Sequence, residues 1–420
     1  EFKMLTKEQN ETLTKVGPGT PVGTLLRRYW HPIAASSELE KRPVKKIKLL
    51  GEDLVLFRDR SGNLGLVQER CPHRGVSLEY GIPVENGIRC QYHGWCFNRE
   101  GRCIDQPNEP EDSTFKDRIK ITAYQVQELG GLIFAYIGPQ PAPLLPRYDL
   151  FVRKNVIRTI GYAIIPCNWL QIMENSFDPT HLEWLHGHYF QYVFEQQGRP
   201  QEEWPITKHH IKIGFDEFEY GIIKRRVLEG QTEENEDWKV GHPVVFPNYL
   251  RVGDSGAHSF QIRVPMDDTH TYHIWYTCFV PEEGVQVPDD YPISLYECPL
   301  KDESGRFITD YIDGQDMMAW VTQGEIADRT IERLGTTDKG IIMYRQMLMK
   351  AIKDVQEGRD PKCVIRDEKQ NECIMLPQEE DKFSEGKLLT NVAKSWNTRY
   401  APNLDEILAI CSGKKSVQKV

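Results

Sequence analysis

The sequence predicts an α+β protein, with an N-terminal all-β domain followed by a larger domain of helices and strands. From residue 45 to 137, short apolar runs alternate with Gly, Asn and Pro, a pattern typical of strands joined by turns. Pro139, Pro141, Pro143 and Pro146 follow closely and interrupt any strand or helix. After them, helical patterns bracket a β-rich middle. These features predict two domains that differ in secondary-structure content.

We therefore expect a helical segment over residues 1–44, the β domain over 45–140 and the mixed domain over 147–415. Strands are expected at 48–50, 54–57, 64–67 and 132–136 in the β domain, and at 211–215, 263–265 and 272–276 in one antiparallel sheet of the mixed domain. Asp338 is expected to cap a long amphipathic helix that ends at Gly358.

Composition excludes several classes of protein. In 420 residues, 39% hydrophobic and 10% aromatic side chains can form a large core, which excludes a disordered or fibrous chain. A net charge of −10 disfavours binding to a nucleic-acid backbone. No apolar run approaches the roughly 20 residues that span a bilayer, so no membrane association is expected. Ten scattered cysteines without a secretion pattern predict free thiols and a cytoplasmic location.

Two short motifs each combine a cysteine with a histidine. Cys71 and His73 form the first, and Cys90 and His93 form the second. Two thiolates suit one ferric ion and two neutral imidazoles suit its neighbour, which is the ligand set of a Rieske [2Fe–2S] cluster.

A structural Cys₂His₂ zinc site is the alternative interpretation of these motifs. Zinc fingers usually place both cysteines in one loop and both histidines in the other, whereas each motif here contains one of each. Cys96 and Cys103 fit neither motif and are expected to be small core residues.

A second group of metal ligands is expected at residues 178–188. Asp178 and Pro179 suggest the start of a helix. His181 and His186 are five residues apart, which is about 140° of rotation on a regular α-helix. The turn before Gly187 must therefore distort or end if both imidazoles bind one metal. His188 is expected at the surface or behind the ligands.

The third ligand of such a site is expected near residue 316. Two histidines and one carboxylate form the facial triad of oxygen-activating Fe(II) proteins. Asp316 lies in an otherwise apolar stretch, where a buried carboxylate is costly unless it is paired or bound to a metal. Asp310 and Asp313 are its competitors.

Together these motifs resemble the terminal-oxygenase subunits of Rieske non-haem iron oxygenases, over nearly the whole chain. The segments 25–32 and 328–338 are similar to the branch that contains phthalate dioxygenase and dehydrodivanillate O-demethylase. The resemblance implies a Rieske β domain and a helix-grip-like catalytic domain, with an antiparallel sheet and flanking helices.

The resemblance also implies a role for each residue of the motifs. Cys71, His73, Cys90 and His93 would hold the cluster, and His181, His186 and Asp316 the catalytic iron. Asp178 would be catalytic, because it would bridge to the cluster histidine of a neighbouring subunit. Trimers or stacked trimers, and a separate reductase or ferredoxin delivering electrons from NAD(P)H, are implied as partners.

The reaction implied is monooxygenation by O₂ of an aromatic substrate, methoxylated or carboxylated, by hydroxylation or O-demethylation. Cis-dihydroxylation of the ring and a pure electron carrier are the alternatives. The run Lys224-Arg225-Arg226, with Arg251 and Arg263, is considered as a counter-charge, although such runs are usually solvated. The side chains expected to line the substrate pocket are Phe177, Phe246, Asn248, Tyr249, Phe260 and Trp275.

Overall fold

A computed structural model describes residues 4–199, 205–254, 256–380 and 393–415. Residues 1–3 of the expected N-terminal segment, and 200–204, 255 and 381–392 of the expected C-terminal domain, lie outside the described residues. Among the described residues, no helix is long and apolar enough to cross a bilayer.

The first ten strands form two antiparallel sheets. One has six strands in the order β1-β10-β9-β4-β3-β2, and the other has four in the order β5-β6-β7-β8. The strands are β1 (His31–Ala35), β2 (Val44–Leu49), β3 (Glu52–Arg58), β4 (Leu64–Gln68), β5 (Ile82–Val84), β6 (Gly87–Arg89), β7 (Cys96–Phe97), β8 (Cys103–Asp105), β9 (Ala123–Leu129) and β10 (Leu132–Tyr136).

The segment expected to be helical over residues 1–44 is helical only in part. It contains the helices α1 (Lys7–Thr14) and α2 (Pro21–Leu26), but strand β1 lies within it and pairs with β10. All five residues of β1 are buried. This segment therefore adds an edge strand to the six-stranded sheet.

Eight further strands form a second large sheet, in the order β12-β13-β14-β15-β16-β17-β11-β18. Every pair is antiparallel except β11 with β18, which is parallel. The predicted antiparallel sheet is therefore mixed at this edge. The strands are β11 (Ile157–Ile165), β12 (His210–Phe218), β13 (Gly221–Leu228), β14 (His242–Val245), β15 (Tyr249–Asp254), β16 (Ala257–Pro265), β17 (Thr271–Phe279) and β18 (Ser294–Glu297).

The β2–β3 hairpin joins the two large sheets. Leu50 and Gly51 form its two-residue turn with φ of 47° and 80°, the pair of positive values that a type I′ turn requires. Their N–H groups donate to Pro265 O at 3.0 Å and Met266 O at 2.8 Å, at the end of β16. Leu50 is fully buried there. This burial explains why a leucine, rather than a glycine, occupies a position with positive φ.

In the part of the chain that the structure describes, nine further α-helices connect and cover the sheets. They are α3 (Ser36–Lys41), α4 (Asp149–Val152), α5 (Trp169–Asn175), α6 (His181–Glu183), α7 (Tyr189–Gln196), α8 (Glu236–Lys239), α9 (Ile312–Val321), α10 (Lys339–Gln356) and α11 (Leu404–Cys411). Helix α10 is the predicted long helix, and Gly358 follows it with φ of 77°. Asp338 accepts a hydrogen bond from Gly335 N–H and so caps the short 3₁₀ turn before α10.

A buried ion network ties α5 to α10. Glu174 accepts from Arg329 Nη2 and from Arg345 Nε, both at 2.7 Å. Arg329 also donates to Asn10 of α1 at 3.0 Å, and Arg345 pairs with Glu332. Burial alone would raise the pKa of Glu174, but the two guanidinium groups outweigh it and the pKa is lowered. The network fixes the C-terminal end of α5, from which the chain leads to His181.

Candidate active site

The two Cys-His loops are built alike. In each, the cysteine carbonyl accepts a hydrogen bond from a glycine four residues later: Gly75 N–H to Cys71 O at 2.9 Å, and Gly94 N–H to Cys90 O at 3.0 Å. Both glycines have positive φ, 77° and 78°, which glycine adopts without the steric cost of a Cβ. The chain reverses tightly in both loops and places each histidine beside its cysteine.

The two cysteine side chains are buried, whereas the two histidine side chains lie nearer the surface. Cys71 and Cys90 are 1% and 2% exposed, whereas His73 is exposed and His93 half-buried. The imidazole rings lie 4.4 Å apart between centroids. The structure thus brings all four predicted residues to one tip of the β domain.

This donor set fits an iron–sulfur cluster. Burial raises the pKa of Cys71 to about 11, and neighbouring Cys90 adds to the effect. A bound metal compensates the charge of a buried thiolate such as that of Cys71. Cys96 and Cys103 are buried core residues, as predicted.

His181 and His186 lie on either side of a change in helix type. After the single turn α6, residues Trp184–His188 form a π-helix, in which Tyr189 N–H donates to Trp184 O, five residues earlier. In this geometry positions five apart fall on the same face. The two rings consequently lie 5.2 Å apart between centroids. The distortion that the sequence required for a shared metal is present.

Asp316 of α9 completes a three-residue group. His186 Nε2 lies 3.1 Å and His181 Nε2 3.8 Å from Asp316 Oδ1, and all three ligand atoms are within 4.8 Å of one another. Ligands about 2.1 Å from one ion and at right angles around it are separated by about 3 Å. Among the described residues, this is the one group of three or more such side chains whose ligand atoms all lie close enough to share a single metal ion.

The electrostatics of the group fit a cation at its centre. Burial alone would raise the pKa of Asp316, but His186, His181 and Arg263 outweigh it and the pKa is lowered. Burial lowers the pKa of His186, and Asp316 reverses this to a net rise. Positive charge between these groups is therefore favoured, and a bound Fe(II) would supply it without protonating the ligands.

Gln315 orients one of the histidines. Its side-chain oxygen lies 2.8 Å from His186 Nδ1, and its amide nitrogen donates to Thr309 O at 2.9 Å. The amide is thereby fixed with its oxygen toward the imidazole, so Nδ1 carries the proton and Nε2 is left for a metal. Sequence reasoning missed Gln315, although its position next to Asp316 was a usable signal.

Asp178 lies beside His181 and caps the turn that precedes helix α6. Asp178 Oδ1 accepts from Thr180 N–H at 2.8 Å and Thr180 Oγ1 at 2.7 Å, and Oδ2 is 3.6 Å from His181 Nδ1. Burial would raise the pKa of Asp178, but the neighbouring His181 imidazole and the hydrogen bonds from Thr180 hold it well below its ordinary value. The helix begins at His181 rather than at Pro179, because the residues between form a turn.

The two competitors of Asp316 have other partners. Asp310 pairs with Arg399 at 2.8 Å. Asp313 is buried and accepts from Asn397 N–H at 2.6 Å. Burial and the charge of Asp316 raise the pKa of Asp313 to about 6. His188 is exposed and packs against Trp184, with 4.7 Å between the ring centroids.

The triad lies in the wall of a cavity of about 1030 Å³, counted to its solvent-filled mouth. Alternate residues of β13, β15 and β16 line it, together with one residue each from β14 and β17 and several from helix α9. The principal lining residues besides the triad are Leu182, Lys224, Arg226, His242, Leu250, Val252, Ser259, Gln261, Trp275, Asp313, Trp396 and Asn397.

Five of the six predicted lining residues lie elsewhere. Trp275 lines the cavity. Phe246, Tyr249 and Phe260 are buried in the hydrophobic core and do not line the cavity. Because side chains alternate along a strand, Leu250 and Ser259 reach the cavity while their neighbours Tyr249 and Phe260 do not.

The remaining predicted residues of the pocket also have structural roles. Phe177 stacks on Tyr344 at 4.5 Å between centroids, and Asn248 donates to Arg263 O at 2.7 Å. Arg251 pairs with Asp149 at 2.9 Å. Neither Arg251 nor Arg263 lines the cavity, whereas Lys224 and Arg226 do.

Comparison with known proteins places this architecture in a family. The Rieske [2Fe-2S] domain matches residues 29–125, the vanillate O-demethylase oxygenase C-terminal domain matches residues 165–285, and the LigXa C-terminal domain like family matches residues 300–375. The 5,5'-dehydrodivanillate O-demethylase oxygenase subunit of Sphingobium sp. (strain NBRC 103272 / SYK-6) is 42% identical over 378 residues, which cover 89% of this chain and 87% of that protein.

The chain belongs to the Rieske non-haem iron oxygenases.

Two further comparisons agree with this Rieske oxygenase assignment. The phthalate 4,5-dioxygenase oxygenase subunit of Pseudomonas putida is 32% identical over 399 residues, covering 84% of this chain and 88% of that protein. A solved oxygenase–ferredoxin complex of carbazole 1,9a-dioxygenase has the same fold, with a TM-score of 0.56 at 21% identity over 81% of this chain and 94% of that one.

Membership in the family defines the cofactors and the class of enzyme. A Rieske oxygenase is an oxidoreductase that contains a [2Fe–2S] cluster and a mononuclear iron, and receives electrons from a separate reductase or ferredoxin. Two alternatives from the sequence are therefore excluded: a structural zinc site in place of the cluster, and a pure electron carrier in place of an oxygenase. The fold is the predicted one, a Rieske β domain joined to an α+β catalytic domain.

Proposed function

We propose that this Rieske oxygenase demethylates an aryl methyl ether by monooxygenation. The observation that carries the proposal is the position of His181, His186 and Asp316 in the wall of a largely apolar cavity. The relative with 42% identity is an O-demethylase subunit, and a vanillate O-demethylase domain family matches residues 165–285. Both support an ether methyl group as the position attacked.

The proposed reaction balances with the electrons that a Rieske system receives. One atom of O₂ enters a C–H bond of the methyl group, and the resulting hemiacetal breaks its methyl C–O bond to give a phenol and formaldehyde. The other oxygen atom leaves as water with two protons. Of the four electrons that O₂ accepts, two come from the methyl group and two from NAD(P)H through the reductase.

We propose that Cys71, His73, Cys90 and His93 hold the cluster and that His181, His186 and Asp316 hold the iron. The iron would supply the oxygen-activating chemistry. Gln315 would keep His186 in the required tautomer, and Leu250 and Trp275 would exclude water from the substrate. The proposed Rieske domain is 45–140 and the proposed catalytic domain is 147–415.

We further propose that the chain works as a homotrimer or a stack of trimers. His73 is exposed at the tip of the β domain, and the Asp178 side chain is 27% exposed. Trp184, 66% exposed, lies near Asp178 in sequence, and Tyr92, 51% exposed, lies beside the cluster histidines. Large exposed aromatic side chains of this kind are typical of association surfaces. In the assembly, Asp178 would meet His73 or His93 of a neighbouring subunit.

A cytoplasmic location accords with the state of the cysteines. None of the ten forms a disulfide and nine of them are buried, as is usual where thiols are kept reduced. This supports the expected location.

The test is a turnover assay with the iron-loaded protein, a Rieske reductase and NADH. Methoxylated benzoates and phenols are supplied as substrates, and formaldehyde, phenol and NADH consumption are measured together. The proposal expects one formaldehyde and one phenol for each NADH consumed. A cis-diol of the ring without formaldehyde would establish dihydroxylation instead, which is the alternative reaction of the family.

A further inference from the structure

Residues 205–210 close over the turn that carries His181 and His186. They begin with a 3₁₀ turn and lead into strand β12. A Cβ on Gly187 of the π-helix would lie only 2.9 Å from Ile206 O, so the two segments are in close contact. We refer to residues 205–210 as the clasp.

A small hydrophobic cluster joins the clasp to the segments that carry the proposed iron ligands. Ile206 and Leu228 are its buried members, 6% and 1% exposed, and Leu182 and Ile312 pack against them. Leu182 follows a ligand histidine directly, and Ile312 is the first residue of helix α9, which carries Asp316. The cluster is separate from the larger hydrophobic cores. The clasp therefore contacts both of the segments that must meet at the metal.

One carboxylate makes the polar contacts of the clasp. Glu183 of helix α6 is 6% exposed. Its Oε1 lies 3.1 Å from His209 Nδ1, its Oε2 lies 3.1 Å from His210 Nδ1, and Oε2 also accepts from His210 N–H at 3.1 Å. A carboxylate buried to this extent is costly unless donors satisfy it, and here the clasp supplies the donors.

Glu183 lies between the two ligand histidines in sequence, but its side chain is directed to the clasp. It belongs neither to the three-residue ligand group nor to the lining of the cavity. The backbone of one irregular turn connects it to His181 and to His186. Because a functional site must be held to within about 0.5 Å, a contact that fixes this turn also fixes the ligands.

We propose that Glu183 is a positioning residue that, with His209 and His210, keeps the ligand-bearing turn closed and so retains Fe(II). The proposal rests on the proposed iron ligands and adds the element that controls iron retention. The His210 side chain is 3% exposed and that of His209 is 72% exposed. The buried contact contributes more, because water competes for an exposed hydrogen bond.

The experiment measures Fe(II) binding without O₂, on protein whose cluster is intact. Competition with the chelator ferrozine gives the affinity, and the rise of its absorbance after mixing gives the rate of iron release. Glu183→Gln and Glu183→Ala should weaken the affinity and speed the release by roughly 10-fold, the lower end of the effect of residues behind a metal ligand. The visible spectrum of the cluster should not change.

The two histidines provide a conservative and a disruptive substitution. His210→Leu should weaken the affinity as much as Glu183→Ala, and the double variant should be no weaker than either alone, because both remove one contact. His210→Asn should retain most of the affinity, since its amide N–H₂ can donate in place of Nδ1–H. His209→Ala should cost about threefold at most, as expected for one exposed hydrogen bond.

Glu229→Gln is the matched control. Glu229 is exposed, and its N–H donates to His209 O at 2.8 Å, so the same charge is removed beside the clasp. This variant should bind iron like wild type. Urea unfolding of the metal-free proteins distinguishes a merely structural role, which would lower the unfolding midpoint and leave the iron affinity of the folded protein unchanged.

Three results would overturn the clasp. They are wild-type affinity and release rate in both Glu183 variants, an equal loss in Glu229→Gln, and a loss in His210→Asn as large as that in His210→Leu. If Glu183→Ala does not fold, Glu183→Gln and His210→Leu decide the question in the same assay.

The result is separable from the proposed function. A wild type that binds no Fe(II) beyond the cluster would refute the proposed ligands and the clasp together. A wild type that binds Fe(II) while the Glu183 variants bind it equally well would refute the clasp alone. A clasp-dependent affinity without any formaldehyde in the turnover assay would retain the clasp and refute demethylation.

Discussion

The imidazoles of His181 and His186 lie 5.2 Å apart between ring centroids, although five residues separate them on the chain. A regular α-helix would turn them about 140° apart. The π-helix over Trp184–His188 removes this difference and directs both Nε2 atoms toward Asp316 Oδ1. The proposed iron site thus depends on one irregular turn, and its predictions concern the residues that hold this turn and its ligands.

Gly187 permits the close packing of that turn. A Cβ at this position would lie 2.9 Å from Ile206 O and 3.1 Å from Thr207 Cα. We expect Gly187→Ala to displace the π-helix and to lower the iron content of the purified protein, with a loss of about 1–3 kcal/mol in stability. Gly17→Ala is the control, because a Cβ at Gly17 meets nothing within 4 Å. Full iron content in Gly187→Ala would contradict this expectation, because it would show that the displaced turn still binds iron.

Gln315 should control the affinity for iron. We expect Gln315→Leu to weaken Fe(II) binding by roughly 10- to 100-fold, the usual effect of removing the hydrogen-bond partner of a ligating histidine. Gln323→Leu is the matched control, because Gln323 is exposed and donates to Ala319 O on its own helix, away from the histidines. The measurement is equilibrium Fe(II) binding with a competing chelator. Equal affinities in the two variants would contradict the orienting role of Gln315.

Asp178→Asn should retain both metal sites and lose most turnover. Asn caps a helix about as well as Asp. The hydrogen bonds that Thr180 donates can therefore persist, whereas the negative charge between the proposed iron site and the proposed cluster is lost. The measurement is single-turnover oxidation of a pre-reduced cluster, with iron and substrate bound. Cluster oxidation at the wild-type rate would leave Asp178 with a capping role alone.

Glu174 should stabilise the protein in a pH-dependent way. Its pKa in the folded protein is lowered from 4.5, so its contribution is present above about pH 4.5 and disappears as the pH falls through the folded value. We expect Glu174→Gln to reduce the free energy of unfolding by about 3 kcal/mol at pH 7, because it leaves Arg329 and Arg345 without a buried counter-charge.

Urea unfolding of wild type and Glu174→Gln, at pH 7 and again below pH 4, checks this expectation. The difference between the two proteins should narrow at the lower pH. Glu357→Gln, which removes an exposed partner of Lys353, should remain close to wild type at both. A difference that stays constant with pH would mean that packing, rather than charge, explains the effect.

The residues that the structure brings together at the two candidate metal sites were predictable from sequence, because each is chemically distinctive and local in the chain. The cysteine and histidine spacings, and the isolated carboxylate Asp316, needed no knowledge of tertiary structure. The same spacings predicted that the helix must be irregular between His181 and Gly187, although the form of the irregularity, a π-helix, was visible only in the structure.

The substrate pocket was not predictable in the same way. A shift of one residue in a strand moves every side chain to the other face, and the sequence of β15 and β16 does not show which face lies over the triad. Aromatic character suggested Tyr249 and Phe260, but burial in the core satisfies these side chains equally well. The run Lys224-Arg225-Arg226 is compatible in sequence with a counter-charge or with a solvated surface, and only the fold shows that Lys224 and Arg226 line the cavity.

The most direct test of the account is the metal content of wild type and His181→Ala, measured with their visible spectra. Wild type should contain three iron atoms and two acid-labile sulfides per chain. His181→Ala should contain two iron atoms, keep the cluster absorption and lose turnover. Two iron atoms in both proteins, or loss of the cluster spectrum from a folded His181→Ala, would contradict two independent metal sites in one chain.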